Sequence, residues 1–300
     1  MTANDSASLK QRTKPPILHS IFLTGGASAS HPDLPDKIRR NIESFKAAHP
    51  GSEHFLHTDQ TLRTFIEVHF DRAVLDAYDE LVPLAYKADL GRYCLLYKTG
   101  GIYSDLSLFF FWGVCRDATH RIHVFRDRHS EAPWIVSNSI IAAPPGMTVF
   151  QECIDRICKH TTDRYYGLNS LCPTGPNLFG AALAASTPAG QIKNGLVVHV
   201  NQGFDAFPAL AFLSKEGDLI AYRDKTSDGV ATLGVSRNQT YNEGYEAREI
   251  YLSDIGRPKV FRAKEYLEKD QLIGGSLCVD GKTVLLTGVC GVAIFGPYIR

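Results

Sequence analysis

AYKADLGRYCLLYKTGGIYSDLSLFF, residues 85–110, is the stretch on which the fold turns. Leu90, Tyr93 or Cys94, and Tyr97 recur at helical spacing between Leu84 and Thr99, and the double glycine Gly100-Gly101 ends that helix. The apolar run Ile102–Trp112 then predicts a strand. Asp89 and Arg92 stand three apart and share one helix face, so a carboxylate and a guanidinium project together. The first half of the strand delivers Tyr103 and Asp105 near the same place, while Leu108–Phe111 pass into the core. Taken alone, Asp89 and Arg92 read as a surface ion pair worth about 0–1 kcal/mol. Asp105 is different. Flanked by Ile102, Tyr103, Leu106 and Leu108, it would be costly to bury unpaired, and it calls for a cation, either an arginine or a divalent metal.

Upstream, Ile17–Leu23 predicts a short strand that runs into Gly25-Gly26 and a polar loop. Ile38, Ile42 and Phe45 predict a helix that His49-Pro50-Gly51 stops before a second strand at Glu53–His57. Thr58 or Asp59 caps the next helix, with Leu62, Phe65, Ile66 and His69 inward. Downstream, strand-like pieces at Ile122–Phe125, Trp134–Ala142, Leu196–Val200 and Leu219–Tyr222 alternate with helical stretches near 147–160 and 177–186. Such alternation predicts an α/β sheet with ligands at the carboxyl ends of its strands. After about Arg257 the texture becomes all-β, with short strands at Leu277–Val279, Val284–Thr287 and Val292–Phe295. The expected organisation is a flexible tail at 1–14, one α/β domain at 15–256, and a β-rich appendage at 257–300, either whole or cut inside a longer β module.

The 300 residues are 44% hydrophobic and 21% charged, which suits a globular chain with a real core. Lys plus Arg (32) balances Asp plus Glu (32), so no global field steers the chain to nucleic acid or to an anionic membrane. The longest apolar runs are broken by polar residues or glycines and fall short of the ~20 residues of a membrane span. The polar start of the sequence lacks a secretory core, and the expected address is cytoplasmic. Seven cysteines without CxxC or zinc spacing read as reduced, small core residues. Trp112 and Trp134 read as core.

Lys87, Ala88, Asp89, Arg92, Tyr93, Leu96, Tyr97, Gly100, Gly101, Tyr103 and Asp105 fall on the pattern K-A-D-x-x-R-Y-x-x-L-Y-x-x-G-G-x-Y-x-D-x-D. By these residues the window resembles the sugar-binding region of glycosyltransferase family 32. Weaker agreement reaches Pro16–His19, His49–Gly51, Asn138–Pro145 and Thr174–Pro176, the last two being segments that close the donor site in the family. The resemblance implies a GT-A-type nucleotide-diphospho-sugar transferase that moves a hexose, with retention, from a UDP- or GDP-sugar to a glycan or glycolipid acceptor. Its setting would be bacterial surface polysaccharide or lipopolysaccharide assembly, at the inner face of the cytoplasmic membrane. Asp105, Asp89 and Arg92 would be the catalytic group. His19, Tyr103, Asn238 and Tyr241 would join them on the donor, with His199 a further candidate.

One departure stands out. The family's second aspartate is Ser107 here, and no other D-x-D triplet occurs in the chain. A Mn²⁺ or Mg²⁺ ion on Asp105, Ser107 and Asn238 would rely on a neutral hydroxyl and on the donor's own phosphates, which puts metal dependence in question. The same departure motivates a second reading, a catalytically weak or inactive relative that binds glycan or nucleotide.

Overall fold

The computed structural model describes residues 15–26, 34–114, 121–127, 130, 134–200, 209–223 and 241–255, together with the backbone of three strands between 276 and 297. The chain divides into two compact units, Met1–Asp254 and Ile255–Arg300. The second contains an antiparallel sheet of Ser276–Val279, Lys282–Val289 and Val292–Pro297. The expected tail at 1–14 lies outside the described residues.

The first unit begins with the expected alternation: β1 (Leu18–Ile21), α1 (Asp36–Ala48), β2 (His54–His57) and α2 (Asp59–His69). Thr58 caps α2 through a reciprocal pair with Thr61. His69, expected inward, is exposed, and Leu62 and Ile66 carry the buried face. A further helix, α3 (Arg72–Glu80), follows on the side-chain cap of Asp71, which accepts from the Val74 N–H. Then come α4 (Leu84–Thr99), β3 (Gly101–Ser104), β4 (Leu108–Phe110), β5 (Ile122–Asp127), β6 (Val136–Ala143), α5 (Thr148–Asp163), α6 (Pro176–Ser186), β7 (Ile192–Val200), β8 (Ala209–Leu213), β9 (Leu219–Arg223) and α7 (Tyr241–Glu246). The nine strands form one mixed sheet in the order β2-β1-β3-β6-β5-β7-β8-β9-β4. One core lies between the sheet and α2–α6, and a second, smaller core gathers Leu18, Ile102, Leu108, Phe110 and Phe212 with Phe45 of α1.

The single strand expected over 102–112 is two strands. Asp105–Ser107 form a turn between them in which Asp105 accepts the N–H of Leu108 and Asn41 of α1 donates to the Leu106 carbonyl. The two halves stay apolar because both are buried, so hydrophobicity alone hides the break. The break has a large geometric effect. β3 and β4 are six places apart in the sheet, roughly 29 Å in a flat one. Three intervening residues reach about 14 Å at most. The sheet must therefore curl until its far edge stands beside β3.

Glycines make the tight junctions. Gly100 ends α4 at φ 62°, and Gly101 opens β3 at φ 100°. A Cβ on Gly101 would lie 2.2 Å from the Ile17 carbonyl oxygen, the same oxygen that accepts the Ile102 N–H and so pairs β3 to β1. Gly91 lets α4 press on Leu62 of α2.

His19 of β1 is buried in this junction. Its Nε2 lies 3.2 Å from the Gly100 carbonyl and 3.0 Å from the Thr99 hydroxyl, and its Nδ1 lies 3.2 Å from His57 Nε2. Burial, then the neighbouring His57, lowers His19 to about 3, and burial, then His54, lowers His57 to about 4. Among the described residues no helix is long and apolar enough to cross a membrane.

Two expectations follow. Gly101→Ala should cost at least about 3 kcal/mol in urea unfolding, because it adds both a forbidden φ and a backbone clash; a wild-type midpoint would contradict the junction described. Above pH 6.5 the two imidazoles are neutral in both folded and unfolded chains and add no pH dependence. Between pH 6.5 and about 4 only the unfolded chain takes up their protons, so stability falls with pH by up to about 1.4 kcal/mol per unit for each. The double variant His19→Gln, His57→Gln should show a flatter dependence of urea midpoint on pH over that window, and an unchanged slope would exclude the assignment.

Candidate active site

α4 and β3 deliver the charged residues to one place because the double glycine folds the helix back on the strand. Asp89 has no exposed surface, and Arg92 has almost none. The sequence-based reading of a surface ion pair is thus corrected: Arg92 Nη2 lies 3.0 Å from Asp89 Oδ1 in a closed interior. Each remaining position on the Asp89 carboxylate is taken. Asn138 Nδ2 donates to Oδ1 at 2.8 Å, Thr174 Oγ1 donates to Oδ2 at 2.7 Å, and the Tyr241 hydroxyl lies 2.7 Å from both oxygens. Burial pushes the Asp89 carboxyl up, against the pull of Arg92, Thr174 and Tyr241. Burial, and Asp89 beside it, raise the Tyr241 phenol well above its ordinary value, so Tyr241 is the donor of that contact. A group ringed only by donors is an ionised acceptor.

Arg92 carries the charge onward. Its Nη1 donates to the Asn138 carbonyl at 2.6 Å and lies 3.3 Å from Asp105 Oδ1, while its Cζ sits 4.6 Å from the centre of the Tyr103 ring. Burial opposes its charge, yet Tyr103, Asp89, Asp105 and Tyr241 outweigh burial and hold its pKa well above the ordinary value. Tyr103 also donates to Asp105 Oδ1 at 2.9 Å. Asp105 ends this chain at the mouth of the site, with 26% of its side chain exposed. Its backbone N–H donates to the Ser139 carbonyl of β6, and its cation is an arginine, one of the two partners that its apolar flanks called for.

Asp89, Arg92, Tyr103, Asp105 and Tyr241 are therefore brought together. Ser107 sits two residues on, in the turn, partly exposed. Asn238 lies outside the described residues. His19 is not part of the group: it is buried between β1, β2 and Gly100, and its ring nitrogens are occupied. His199 is exposed near the end of β7, and Trp112 and Trp134, expected in the core, are 66% and 52% exposed. Thr24 and Gly25, at the glycine loop after β1, donate their backbone N–H groups to Asp59, which fixes the loop on α2. Three participants escaped the sequence-based reading. Asn138 and Thr174 were placed only as parts of closing segments, though each bonds Asp89 directly. Arg223, at the end of β9, donates to Ser139 Oγ at 3.2 Å and had no local signal at all.

The described residues do not by themselves make a site for a resident metal. Asp105 Oδ1 already carries a guanidinium and a phenol, position 107 is neutral, and among the described residues no three His, Cys, Asp or Glu side chains come together to hold an ion.

A charged cluster bracketing a D-x-S turn lies inside a segment, residues 35–120, that matches the glycosyltransferase sugar-binding region containing a DXD motif. The match covers less than a third of the chain and includes Asp89, Arg92, Tyr103 and Asp105. An uncharacterized glycosyltransferase of Acanthamoeba polyphaga mimivirus is 30% identical over 102 residues, 34% of this chain and 37% of the relative. Inositol phosphoceramide mannosyltransferase 3 of Schizosaccharomyces pombe is 26% identical over 175 residues, 58% of this chain and 44% of the relative. The chain spans about two fifths of the length of these relatives. Among solved structures, the PaToxG glycosyltransferase aligns with a TM-score of 0.44 at 17% identity, over 58% of this chain and 71% of that one.

The matched segment thus contains two acids with opposite duties. Asp89→Ala should lower stability by about 3–5 kcal/mol, because it strands the buried Arg92. Asp105→Ala, at the exposed end, should change the melting temperature by only a few degrees. Equal losses in thermal melts of the two variants would refute the division.

Proposed function

We propose that the chain is a retaining glycosyltransferase, with residues 15–256 as a GT-A-type catalytic domain and 257–300 as a β-rich appendage. It transfers a hexose from a nucleoside-diphosphate donor to an acceptor hydroxyl. The observation that carries the reading is Asp105: a half-open carboxylate at the tip of β3, held on one oxygen by Tyr103 and Arg92, within the matched sugar-binding region.

The chemistry accounts for the residue types. The acceptor oxygen bonds to the anomeric carbon while the bond to the diphosphate oxygen breaks, and the electron pair leaves with the nucleoside diphosphate. The acceptor proton goes to the departing phosphate oxygen. A carboxylate fixed in place orients sugar hydroxyls without reorganising during the reaction, which is the contribution a preorganised site makes to the rate. In this reading Asp105 has that task. Arg92 keeps it ionised and oriented through Nη1, and Asp89 holds Arg92.

The yeast relative is named for transfer of mannose to inositol phosphoceramide, so mannose and an inositol-phosphate sphingolipid head join surface polysaccharides among the donors and acceptors to try. The reading puts the enzyme in the cytoplasm, at the inner face of the membrane. Purified protein incubated with a panel of UDP- and GDP-hexoses, with and without Mn²⁺, should hydrolyse at least one donor or extend an acceptor. Asp105→Ala should reduce that turnover by at least ~100-fold. Binding without turnover by the wild-type protein would replace the enzyme with a glycan- or nucleotide-binding module.

A further inference from the structure

The curled sheet brings a second guanidinium to the site. Arg223 is the last residue of β9, opposite Leu108, the first residue after the Asp105–Ser107 turn. Its Nη1 is held by the hydroxyl of Ser139, the residue whose carbonyl accepts the Asp105 N–H. Asp105 and Arg223 are thus pinned to one residue of β6 from two sides. A guanidinium has five donor hydrogens. Ser139 takes one, and Nε is buried with no hydrogen-bond partner. Burial lowers the pKa of Arg223, opposed by Asp105, then Tyr241 and Asp127, and no carboxylate among the described residues closes on it as an ion pair. A desolvated cation with spare donors is costly to keep unless an anion comes to it.

The charges around it point the same way. Asp89, Arg92 and Asp105 together carry −1, which repels a diphosphate; Arg223 brings the cluster to zero. At position 107, where a second carboxylate would add another negative charge, the chain has a hydroxyl. A planar fork of donors matches phosphate oxygens. We propose that Arg223 is a diphosphate-binding residue, a fixed cation that meets the donor's leaving group beside Asp105. This rests on the glycosyl-transfer reading for its substrate, and on the geometry of β6 and β9 alone for its anion.

The test separates the two. Inorganic pyrophosphate is titrated calorimetrically into the full chain in buffer containing EDTA, with inorganic phosphate as the single-phosphate control. The wild-type protein should bind pyrophosphate at least 10-fold more tightly than phosphate. Arg223→Gln should weaken pyrophosphate binding at least 10-fold, Arg223→Lys less, and Ser139→Ala, which releases Nη1, by an intermediate amount. Should Arg223→Gln fail to fold, the Lys and Ala variants carry the comparison.

Undiminished pyrophosphate binding in the Arg223 variants, or wild-type binding that requires added Mn²⁺, overturns the proposal. Donor turnover is scored in parallel, where the variants should raise the donor KM by at least 10-fold with a smaller change in kcat. Turnover with unchanged KM overturns the role of Arg223 and leaves the transferase standing. Pyrophosphate binding that depends on Arg223, without turnover of any donor, overturns the transferase and leaves the anion site.

Discussion

Three residues joining β3 to β4 are the constraint on which the rest of the structure depends. The chain leaves the third strand of the sheet and within Asp105, Leu106 and Ser107 must begin the ninth. No flat sheet allows that step, so the curl is imposed by covalent reach before any side chain is considered. The turn that makes the step carries the half-open carboxylate. Because the far edge is pulled in beside it, β9 lies close enough for Arg223 to bond Ser139 of β6. Site and curvature are one feature: the residues that force the sheet to close are those left at its opening.

Behind the turn, Asp89 joins four parts of the chain that are far apart in sequence. It sits on α4, and its partners come from β6, from the loop before α6 and from the start of α7. Tyr86, one turn earlier on α4, secures the same region by donating to the Ser170 and Tyr241 carbonyls. A buried ion pair of this kind adds little net stability over an apolar substitute, since desolvation offsets most of the attraction. Its effect is on geometry. An acid that accepts from four directions leaves its neighbours a single arrangement, and Arg92 passes that arrangement to Asp105 through Nη1.

How much of this could be read from the sequence follows from the range of each signal. The helix at 84–99, its glycine stop, and the placing of Asp89, Arg92, Tyr103 and Asp105 together were legible, because their spacing is local and the double glycine fixes the turn. The division of 102–112 was not, since a half-buried turn between two buried strands shows no polar interruption except Asp105 and Ser107, which read equally well as site residues. Burial of Asp89 and Arg92 was hidden for the opposite reason: their partners Asn138, Thr174 and Tyr241 lie 49, 85 and 152 residues away. Trp112 and Trp134 misled because large aromatics are usually buried, and nothing local marks the positions that leave them exposed. Arg223 ends an ordinary apolar strand, and only the closure of the sheet gives it a neighbour.

That closure also bears on the serine at 107. A hard dication bound at Asp105 would share its carboxylate with Arg92 and stand near the guanidinium of Arg223, so two positive groups would oppose it while one negative group drew it in. A second carboxylate at 107 would tip that balance toward the ion; a hydroxyl does not. The same two guanidinia favour a diphosphate, whose oxygens are the anions the cluster lacks. A hydroxyl at 107 and the presence of Arg223 are therefore mutually consistent: the arginine supplies a cation for the leaving group, and with a second acid at 107 it would be drawn into an ion pair instead of standing with its Nε unused.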